Sequence, residues 1–248
     1  MSGHSKWATI KHKKAKTDAA RGKAFTKIIR EITTAAKISG PDPESNPRLR
    51  LALDKAKAAN MPNDNIKRAI DRAAGPDAKA LEEITYEGYG LAGVALMVEC
   101  MTDNRNRTLG EVRNIIEKNG GNLGTSGCVN WMFKRKGSIS FDRGKTNEDQ
   151  LSMAAIDAGA EDILLEESVL EVVTTPGNFE NVRDALIAKG FEPLNAEVTM
   201  VPSNTVKVEG EEAKKLLKLV ALLEEHDDVQ AVHANFDIPD KIIEEESK

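Results

Sequence analysis

The sequence predicts an α+β protein, with a basic three-helix domain at the N-terminus followed by two small mixed α/β domains. Two observations lead to this prediction. Residues 1–75 hold 17 Lys or Arg against 7 Asp or Glu, whereas the rest of the chain has a net charge of −15. Near residue 80 the spacing of the apolar residues also changes, from a helical period to short alternating runs typical of strands. A length of 248 residues allows two or three domains.

Three amphipathic helices are predicted before residue 75. In the first, Phe25 and Ile32 lie on an apolar face, opposite Lys23 and Lys27. The first helix is predicted from about Thr17 and ends at Gly40. The second begins with Asn46 as N-cap and Pro47 in its first turn, and the third begins at Pro62 and ends at Gly75.

Short strands alternate with helices after residue 80. The predicted elements are a hairpin over 84–101, a helix from Leu109, a second hairpin over 129–141 that turns near Gly137, helices at about 147–158 and 179–189, strands at 169–174 and 194–201, and a last strand, helix and strand at 205–208, 211–225 and 229–236. The similar segments 156–161 and 187–192 both place a glycine after a helix, which suggests two related halves of a split βαβ-like fold.

The unit that begins near residue 80 has too few strands to close a core by itself, and the last β–α–β segment could complete it. One α/β domain would then be inserted in the other. The predicted domains are a basic helical domain (1–79), an α/β domain (80–128 plus 201–240) and an inserted α/β domain (129–200).

The composition indicates the cellular compartment of the protein. No apolar run is long enough to cross a bilayer, and no apolar stretch follows the basic N-terminus as in a secretory signal. A mitochondrial transit peptide is an open alternative for the basic leader. Cys100 and Cys128 cannot form a disulfide framework, so reduced thiols are expected, with Cys100 buried in an apolar strand. We expect a cytoplasmic monomer without membrane contact.

No enzyme, cofactor or metal site is expected, because the sequence lacks the nucleotide-binding, nucleophile-elbow and zinc-protease motifs. One alternative is a metal-dependent nuclease that uses Glu99 and Asp103. His226 is surrounded by acidic residues over 224–228, which could suggest a metal site. We interpret this segment as a solvated helix end.

The uneven charge predicts a polyanionic partner. The first thirty residues hold nine Lys or Arg and one acidic side chain, Asp18. Because Lys and Arg release counterions from phosphates, a basic end favours binding to nucleic acid, either DNA or ribosomal RNA, with the ribosome as a further candidate partner. The alternatives are a solubilising basic tail and a protein scaffold that acts through the acidic domains.

Three groups of residues are candidates for nucleic-acid contact. A basic N-terminal arm could bind phosphates while Trp7 stacks on a base, although Trp7 could equally anchor the arm to its own domain. The helical domain adds a basic helix face, and further cations on the next two helices include Lys55, Lys57, Lys67 and Arg68. The full set of candidate contact residues is Lys6, Trp7, Lys11, His12, Lys13, Lys14, Lys16, Arg21, Lys23, Lys27, Arg30, Arg48, Arg50, Arg105 and Arg107.

A separate candidate is the loop over 103–107, which contains two arginines and lies just before a predicted helix. Arg105 and Arg107 could bind phosphates or base edges. For Asn104 and Thr108 the favoured interpretation is local, with Asn104 in the turn and Thr108 as the helix cap.

Several long motifs resemble the YebC family. They are Gly3–Trp7, Ile10–His12, Arg21–Lys23, Phe25–Lys27, Asn46–Arg50, Ala56–Asn65, Tyr86–Gly90, Thr102–Thr108 and Glu224–Val229. The resemblance runs from Gly3 to Ile238, and it departs from the family pattern at Leu91 and Ala92, where Pro-Gly is expected.

The resemblance implies three domains and a cytoplasmic, non-enzymatic protein that influences gene expression. Members of that family are described as DNA-binding transcriptional regulators. The alternative it implies is a ribosome-associated translation factor that binds ribosomal RNA and relieves stalling at proline-rich stretches. The mitochondrial members of the family are translational activators of a cytochrome oxidase subunit.

Overall fold

A computed structural model describes Trp7 and residues 18–75, 81–166 and 168–246, without the side chains of residues 18–21, 74 and 244. The helical unit contains α1 (Asp18–Ser39), α2 (Pro47–Ala58) and α3 (Asn63–Ala74). It is followed by β1 (Glu82–Tyr89), β2 (Ala95–Thr102), α4 (Arg105–Lys118), β3 (Asn122–Leu123), β4 (Phe133–Asp142), α5 (Glu148–Asp157), β5 (Asp162–Leu165), β6 (Val169–Thr174), α6 (Phe179–Ala188), β7 (Asn195–Pro202), β8 (Val206–Lys207), α7 (Gly210–Glu225), β9 (Val229–Ala234), β10 (Phe236–Asp237) and α8 (Asp240–Glu246). The predicted α+β class, with helices before sheet-containing units, is confirmed.

The helical unit has a small aliphatic core. Ile32, Leu49 and Ala56 are fully buried in it. Asn46 is 1% exposed and joins two helices: its side chain accepts from the amide of Leu49 to cap α2, and it donates to the carbonyls of Ala35 and Gly40 at the end of α1. A buried side-chain amide with all three of these bonds fixes the angle between α1 and α2.

Two four-stranded antiparallel sheets follow. The first-sheet unit is built on the order β3-β1-β2-β9, and Ile116 of α4 and Leu216 of α7 share a core on one face of the sheet with Leu96 and Val98. The second-sheet unit has the order β5-β6-β4-β7, and α5 and α6 cover Ile139 and Phe141. No helix among the described residues is long and apolar enough to span a bilayer.

The second predicted hairpin is wrong. Residues 133–142 form the single strand β4, and Gly137 lies inside it, opposite Thr174 and Val198. A Cβ atom at Gly137 would lie 2.2 Å from the Thr174 hydroxyl and 2.7 Å from the ring of Phe179. This glycine therefore permits a close approach of strand and helix, not a turn, and isolated glycines within strands often have that role.

The start of α4 and two short elements also differ from the sequence prediction. α4 begins at Arg105, inside the predicted loop, and its N-cap is Asn104 rather than Thr108. β5 and α8 were not predicted. Short elements such as these carry little periodicity, so their presence depends on contacts with distant residues.

The strand pairing supports the proposed domain insertion. Leu96 to Cys100 of β2 pair with Val229 to Ala234 of β9, which joins segments on both sides of the second-sheet unit. Residues 125–127 and 203–205, on either side of that unit, are exposed.

Cleavage at protease sites engineered within residues 125–127 and 203–205 should leave the two outer fragments associated, because they share the β2–β9 ladder and one apolar core. Size-exclusion chromatography of the cleaved protein under native conditions measures this. A singly cleaved protein is the control, and outer fragments that elute separately would show that the insertion is wrong.

Candidate functional site

The basic face of α1 is turned towards the C-terminal end of α7. Lys27 Nζ donates to the main-chain oxygen of Glu224 over 2.6 Å, and Lys23 Nζ donates to that of Glu225 over 3.4 Å. The last carbonyls of a helix have no partner within the helix and carry partial negative charge, so they attract cations. The two lysines therefore connect the helical unit to the first-sheet unit.

Beside these lysines, a buried carboxylate collects two arginines from different parts of the chain. Asp228 is 3% exposed. Its Oδ1 accepts from Arg30 of α1 over 2.9 Å, and its Oδ2 accepts from Arg107 of α4 over 2.7 Å. The hydroxyls of Thr108 and Thr102 donate to Oδ2 over 2.7 and 3.2 Å. We call this group the Asp228 cluster.

Arg30 makes further contacts that fix its position. Its Nη1 also donates to the main-chain oxygens of Asp227 over 2.6 Å and Met101 over 3.1 Å. The guanidinium is thus surrounded by acceptors from the end of β2 and from the turn before β9. It serves in this conformation as an interdomain contact, and a phosphate would have to displace these acceptors to bind it.

The cluster also changes the acidity of its carboxylate. Burial by itself would raise the pKa of Asp228, but hydrogen bonds from Arg107, Thr108 and Arg30 outweigh it and lower the pKa from 3.8 to about 2. The carboxylate is therefore charged throughout the physiological range. The interpretation of 224–228 as a solvated helix end is wrong for Asp228, although Glu225 and Asp227 are exposed.

Glu111, His226 and Asp228 place possible ligand atoms within 4.8 Å of one another. His226 Nδ1 accepts from the amide of Asp228 over 3.1 Å, so its proton is on Nε2, which lies 2.9 Å from Glu111 Oε2. The Asp228 oxygens already bind Arg30 and Arg107. Two neighbouring guanidiniums make the position electrostatically unfavourable for a metal cation, and we assign none to it.

Trp7 is 4% exposed and packs into the core of the first-sheet unit. Its Nε1 donates to Glu224 Oε2 over 3.3 Å. In this position the indole is buried in the first-sheet unit, not in its own helical domain, which was the docking site predicted for it. The other arm candidates, Lys6, Lys11, His12, Lys13, Lys14 and Lys16, lie outside the described residues, as does the side chain of Arg21.

Cations on α2 connect it to both sheet units. Arg48 binds Glu31 and Glu83, each over 2.7 Å. Arg50 lies 3.3 Å from Glu180 at the start of α6. Because their guanidiniums are held by carboxylates, these two predicted contact residues belong to interdomain salt bridges in this structure.

The same surface of α2 carries two more pairs with the second-sheet unit. Lys55 lies 3.8 Å from Glu197, and Asp54 accepts from Arg183 over 3.2 Å. Such partly exposed pairs are individually weak. Together they show that much of the positive charge on α1 and α2 is matched by acidic groups of the sheet units.

Some cations of the helical unit remain on its outer surface. Lys57, Lys67, Arg68 and Arg72 are exposed on α2 and α3. Arg68 donates within its own helix, to Asn65 Oδ1 and the carbonyl of Asp64, and forms no ion pair with a described residue. We call these four side chains the outer basic surface.

The structure separates the two arginines of the 103–107 loop. Arg107 is bound to Asp228 and to Asp103, over 2.7 and 3.1 Å. Arg105 is exposed, and its side chain forms no hydrogen bond or ion pair with a described residue. Only Arg105 therefore has a guanidinium available to a ligand without loss of an existing contact.

The carboxylates considered for a nuclease each have a separate side-chain partner. Glu99 lies 3.5 Å from His233 Nε2, and the hydrogen bond to this histidine lowers the pKa of Glu99. Asp103 pairs with Arg107. As predicted, Cys100 is buried, and its burial raises the pKa of the thiol to about 12.

Two residues were missed as functional candidates. Asp228 looked like one acid among several, and only its position after a helix, next to an apolar strand, could have suggested burial. Trp131 is 71% exposed, yet its neighbours Met132 and Phe133 gave the appearance of a core strand. A tryptophan three residues before the cations at 134–136 was the available signal.

Comparison with known proteins agrees with this architecture. The family described as the TACO1/YebC protein N-terminal domain matches residues 5–76, and the TACO1/YebC second and third domain matches residues 81–236. The chain belongs to the TACO1/YebC family. The resemblance found in its motifs is thereby confirmed.

Close relatives cover nearly the whole chain. A probable transcriptional regulatory protein of Syntrophus aciditrophicus (strain SB) is 55% identical over 98% of this chain and 98% of its own length. One from Trichlorobacter lovleyi is 58% identical, over 96% of each chain. The crystal structure of a conserved hypothetical protein from Aquifex aeolicus is similar at a TM-score of 0.83 and 50% identity, covering 93% of this chain and 96% of that one.

Replacing Asp228 with Asn should lower the free energy of unfolding by about 3 kcal/mol, because two arginines lose a buried charged partner. Asp227→Asn is the matched control, since that side chain is exposed on the neighbouring residue. Chemical denaturation of both variants at neutral pH measures the difference. Equal stabilities would contradict the role given to the Asp228 cluster.

The same carboxylate should contribute to acid unfolding. Its pKa is lowered in the folded protein, so its stabilisation is complete above about pH 4 and is lost as the pH falls through about 2. The wild-type protein should therefore lose more stability than Asp228→Asn over this window, by roughly 2 kcal/mol. Denaturation midpoints at a series of acidic pH values test this, and parallel curves would be the contrary result.

Proposed function

We propose that this protein is a nucleic-acid-binding regulator of gene expression, and that its helical unit contacts the phosphate backbone. The names of its relatives, probable transcriptional regulatory proteins, support a regulatory role. The observation that carries the proposal is the segregation of charge, with 17 basic and 7 acidic residues in 1–75 and a net −15 in the rest. An acidic body repels phosphates, so a polyanion should approach only from the helical end.

The structure narrows the candidate contacts. Lys23, Lys27, Arg30, Arg48 and Arg50 have intramolecular partners. The four side chains of the outer basic surface form no hydrogen bond or ion pair with the described residues of the sheet units. The basic arm over residues 6–16 adds further positive charge. We therefore assign the phosphate contacts primarily to the arm and to the outer basic surface.

One feature of α3 favours a partner that is recognised by its backbone. The carboxamide oxygen of Asn65 accepts from Arg68, and this bond competes with the two-bond contact by which asparagine reads adenine. Asp64 and Asp71 on the same helix would also repel phosphates in a deep groove. Structured RNA, including ribosomal RNA, is thus the second candidate beside duplex DNA, and it would suit a role on the ribosome.

Substituting Lys57, Lys67 and Arg68 with Gln should weaken binding to duplex DNA and to ribosomal RNA. Three lost phosphate contacts should reduce the slope of log K against log salt by about 2 to 3. The matched control is Lys207, Lys215 and Lys218 to Gln, which removes the same charge from exposed positions of the acidic part. Fluorescence anisotropy over a series of salt concentrations gives both quantities.

A second variant, with Lys11, Lys13, Lys14 and Lys16 changed to Gln, tests the arm in the same titrations. Substitution is preferable to deletion of residues 1–30, because deletion would also remove Trp7 and the apolar residues of α1 from their cores. Tighter binding of ribosomal RNA than of DNA at matched salt would decide for the second candidate. Unchanged affinity in both variants would refute the proposal.

A further inference from the structure

Trp131 is an exposed aromatic side chain on the surface of the sheet units. It lies in a short 3-10 turn, Asn130–Met132, directly before β4. At 71% exposure it is the most exposed large apolar side chain among the described residues. Tryptophan is enriched at binding interfaces, because its indole combines a large apolar surface with one polar N–H group.

The turn that carries Trp131 is held rigidly from below. Glu87 of β1 is 6% exposed, and its carboxylate accepts the amides of Gly127, Val129 and Asn130 over 2.7, 2.8 and 2.8 Å. Burial opposes ionisation of Glu87, but these three bonds prevail and lower its pKa. A charged group buried beneath the turn thus fixes its backbone.

The side chain itself is also oriented. Trp131 Nε1 donates to the carbonyl of Cys128 over 3.1 Å, so the polar edge of the indole is satisfied and its faces remain exposed. Val129 and Phe133, on either side in the sequence, are buried with Ala95 and Met97. An aromatic ring fixed in this way loses little entropy when a flat ligand stacks on it.

The charge around Trp131 identifies the ligand. Residues 118–141 contain no Asp or Glu, although the chain after residue 75 is strongly acidic, and they include Lys134 and Arg135. Both side chains are exposed at the start of β4, but successive residues of a strand point to opposite faces, and Arg135 interacts with Glu99 of the neighbouring cleft. Lys134 follows Trp131 by three residues, so their Cα atoms are at most about 11 Å apart. This distance can be spanned by a nucleotide and its neighbouring phosphate.

The cleft next to this turn limits the path of a ligand. Its volume is about 430 Å³, and it is lined by Glu83, Glu99 and Asn130, with Arg105 at its edge. The carboxylates would repel phosphates. A polyanion should therefore pass along the Lys134 side of Trp131 instead of entering the cleft.

We propose that Trp131 is a stacking platform for an unpaired base of a single-stranded polynucleotide, whose adjacent phosphate binds Lys134. Proteins that bind single strands commonly combine such aromatic platforms with flanking cations. The inference rests on the proposed function in that both require a polynucleotide partner. It adds a second contact, on the sheet units, which selects single-stranded over duplex segments.

The test compares Trp131→Ala and Trp131→Phe with the wild-type protein, using oligouridylate, oligothymidylate and a duplex as probes. Loss of one stacked base should weaken binding of the single strands by roughly 5- to 100-fold. Phe should retain most of the affinity, because its ring still stacks. The duplex should bind all three proteins equally. Met153→Ala, which truncates another exposed apolar side chain, is the control and should change nothing.

Intrinsic fluorescence provides an independent readout. Trp7 is buried and Trp131 is exposed, so a stacked base should quench the wild-type emission and leave Trp131→Phe unaffected. Lys134→Gln should weaken single-strand binding, while Lys215→Gln, at an exposed position of the acidic part, should not. The oligouridylate and oligothymidylate arms show whether RNA or DNA is preferred.

Two failures can be told apart. If single strands bind the wild-type protein and Trp131→Ala equally, without quenching, the stacking site is refuted while the proposed function stands; a protein partner at Trp131 would give this result. If no polynucleotide binds the wild-type protein at any salt concentration, the proposed function is refuted and the stacking site with it.

Discussion

The arrangement of this protein depends on one buried charge. Asp228 sits between the helical unit and the first-sheet unit, and it holds Arg30 of α1 and Arg107 of α4 through separate oxygens. Removing a carboxylate from water is unfavourable unless its hydrogen bonds are satisfied, and here four side chains satisfy it. Because Asp228 needs Arg30 as a partner, it fixes the position of α1. The position of α1 in turn determines which way the other basic residues of the helical unit face.

The segregation of charge along the chain has two consequences. Within the molecule it draws the basic helices onto acidic groups of the sheet units, as Lys27 does at the end of α7 and Arg50 at Glu180. On the surface of the molecule, the positive area that remains on α2 and α3 is therefore smaller than the number of Lys and Arg residues in the sequence suggests. A net charge thus predicts the sign of a partner, but not which cations reach it, because each cation binds the nearest available anion.

Much of the fold could be predicted from local patterns. The limits of β6 and the three N-terminal helices follow from periodicity and from caps such as Asn46. Gly137 could not be interpreted correctly, because the reason for a glycine there is the approach of Thr174 and Phe179 from distant segments. Arg105 and Arg107 look alike in the sequence, yet only Arg107 meets Asp228, which is 121 residues away.

By itself, the sequence determined the class of fold, the basic helical end and the family, since composition, period and long motifs are properties of neighbouring residues. Tertiary structure decided which charged groups are buried and which are exposed. It placed Asp228 in an interdomain cluster, Trp7 in a core and Trp131 on the surface. The physical reason is that burial and pairing depend on distances between residues far apart in the chain, and no local pattern encodes those distances.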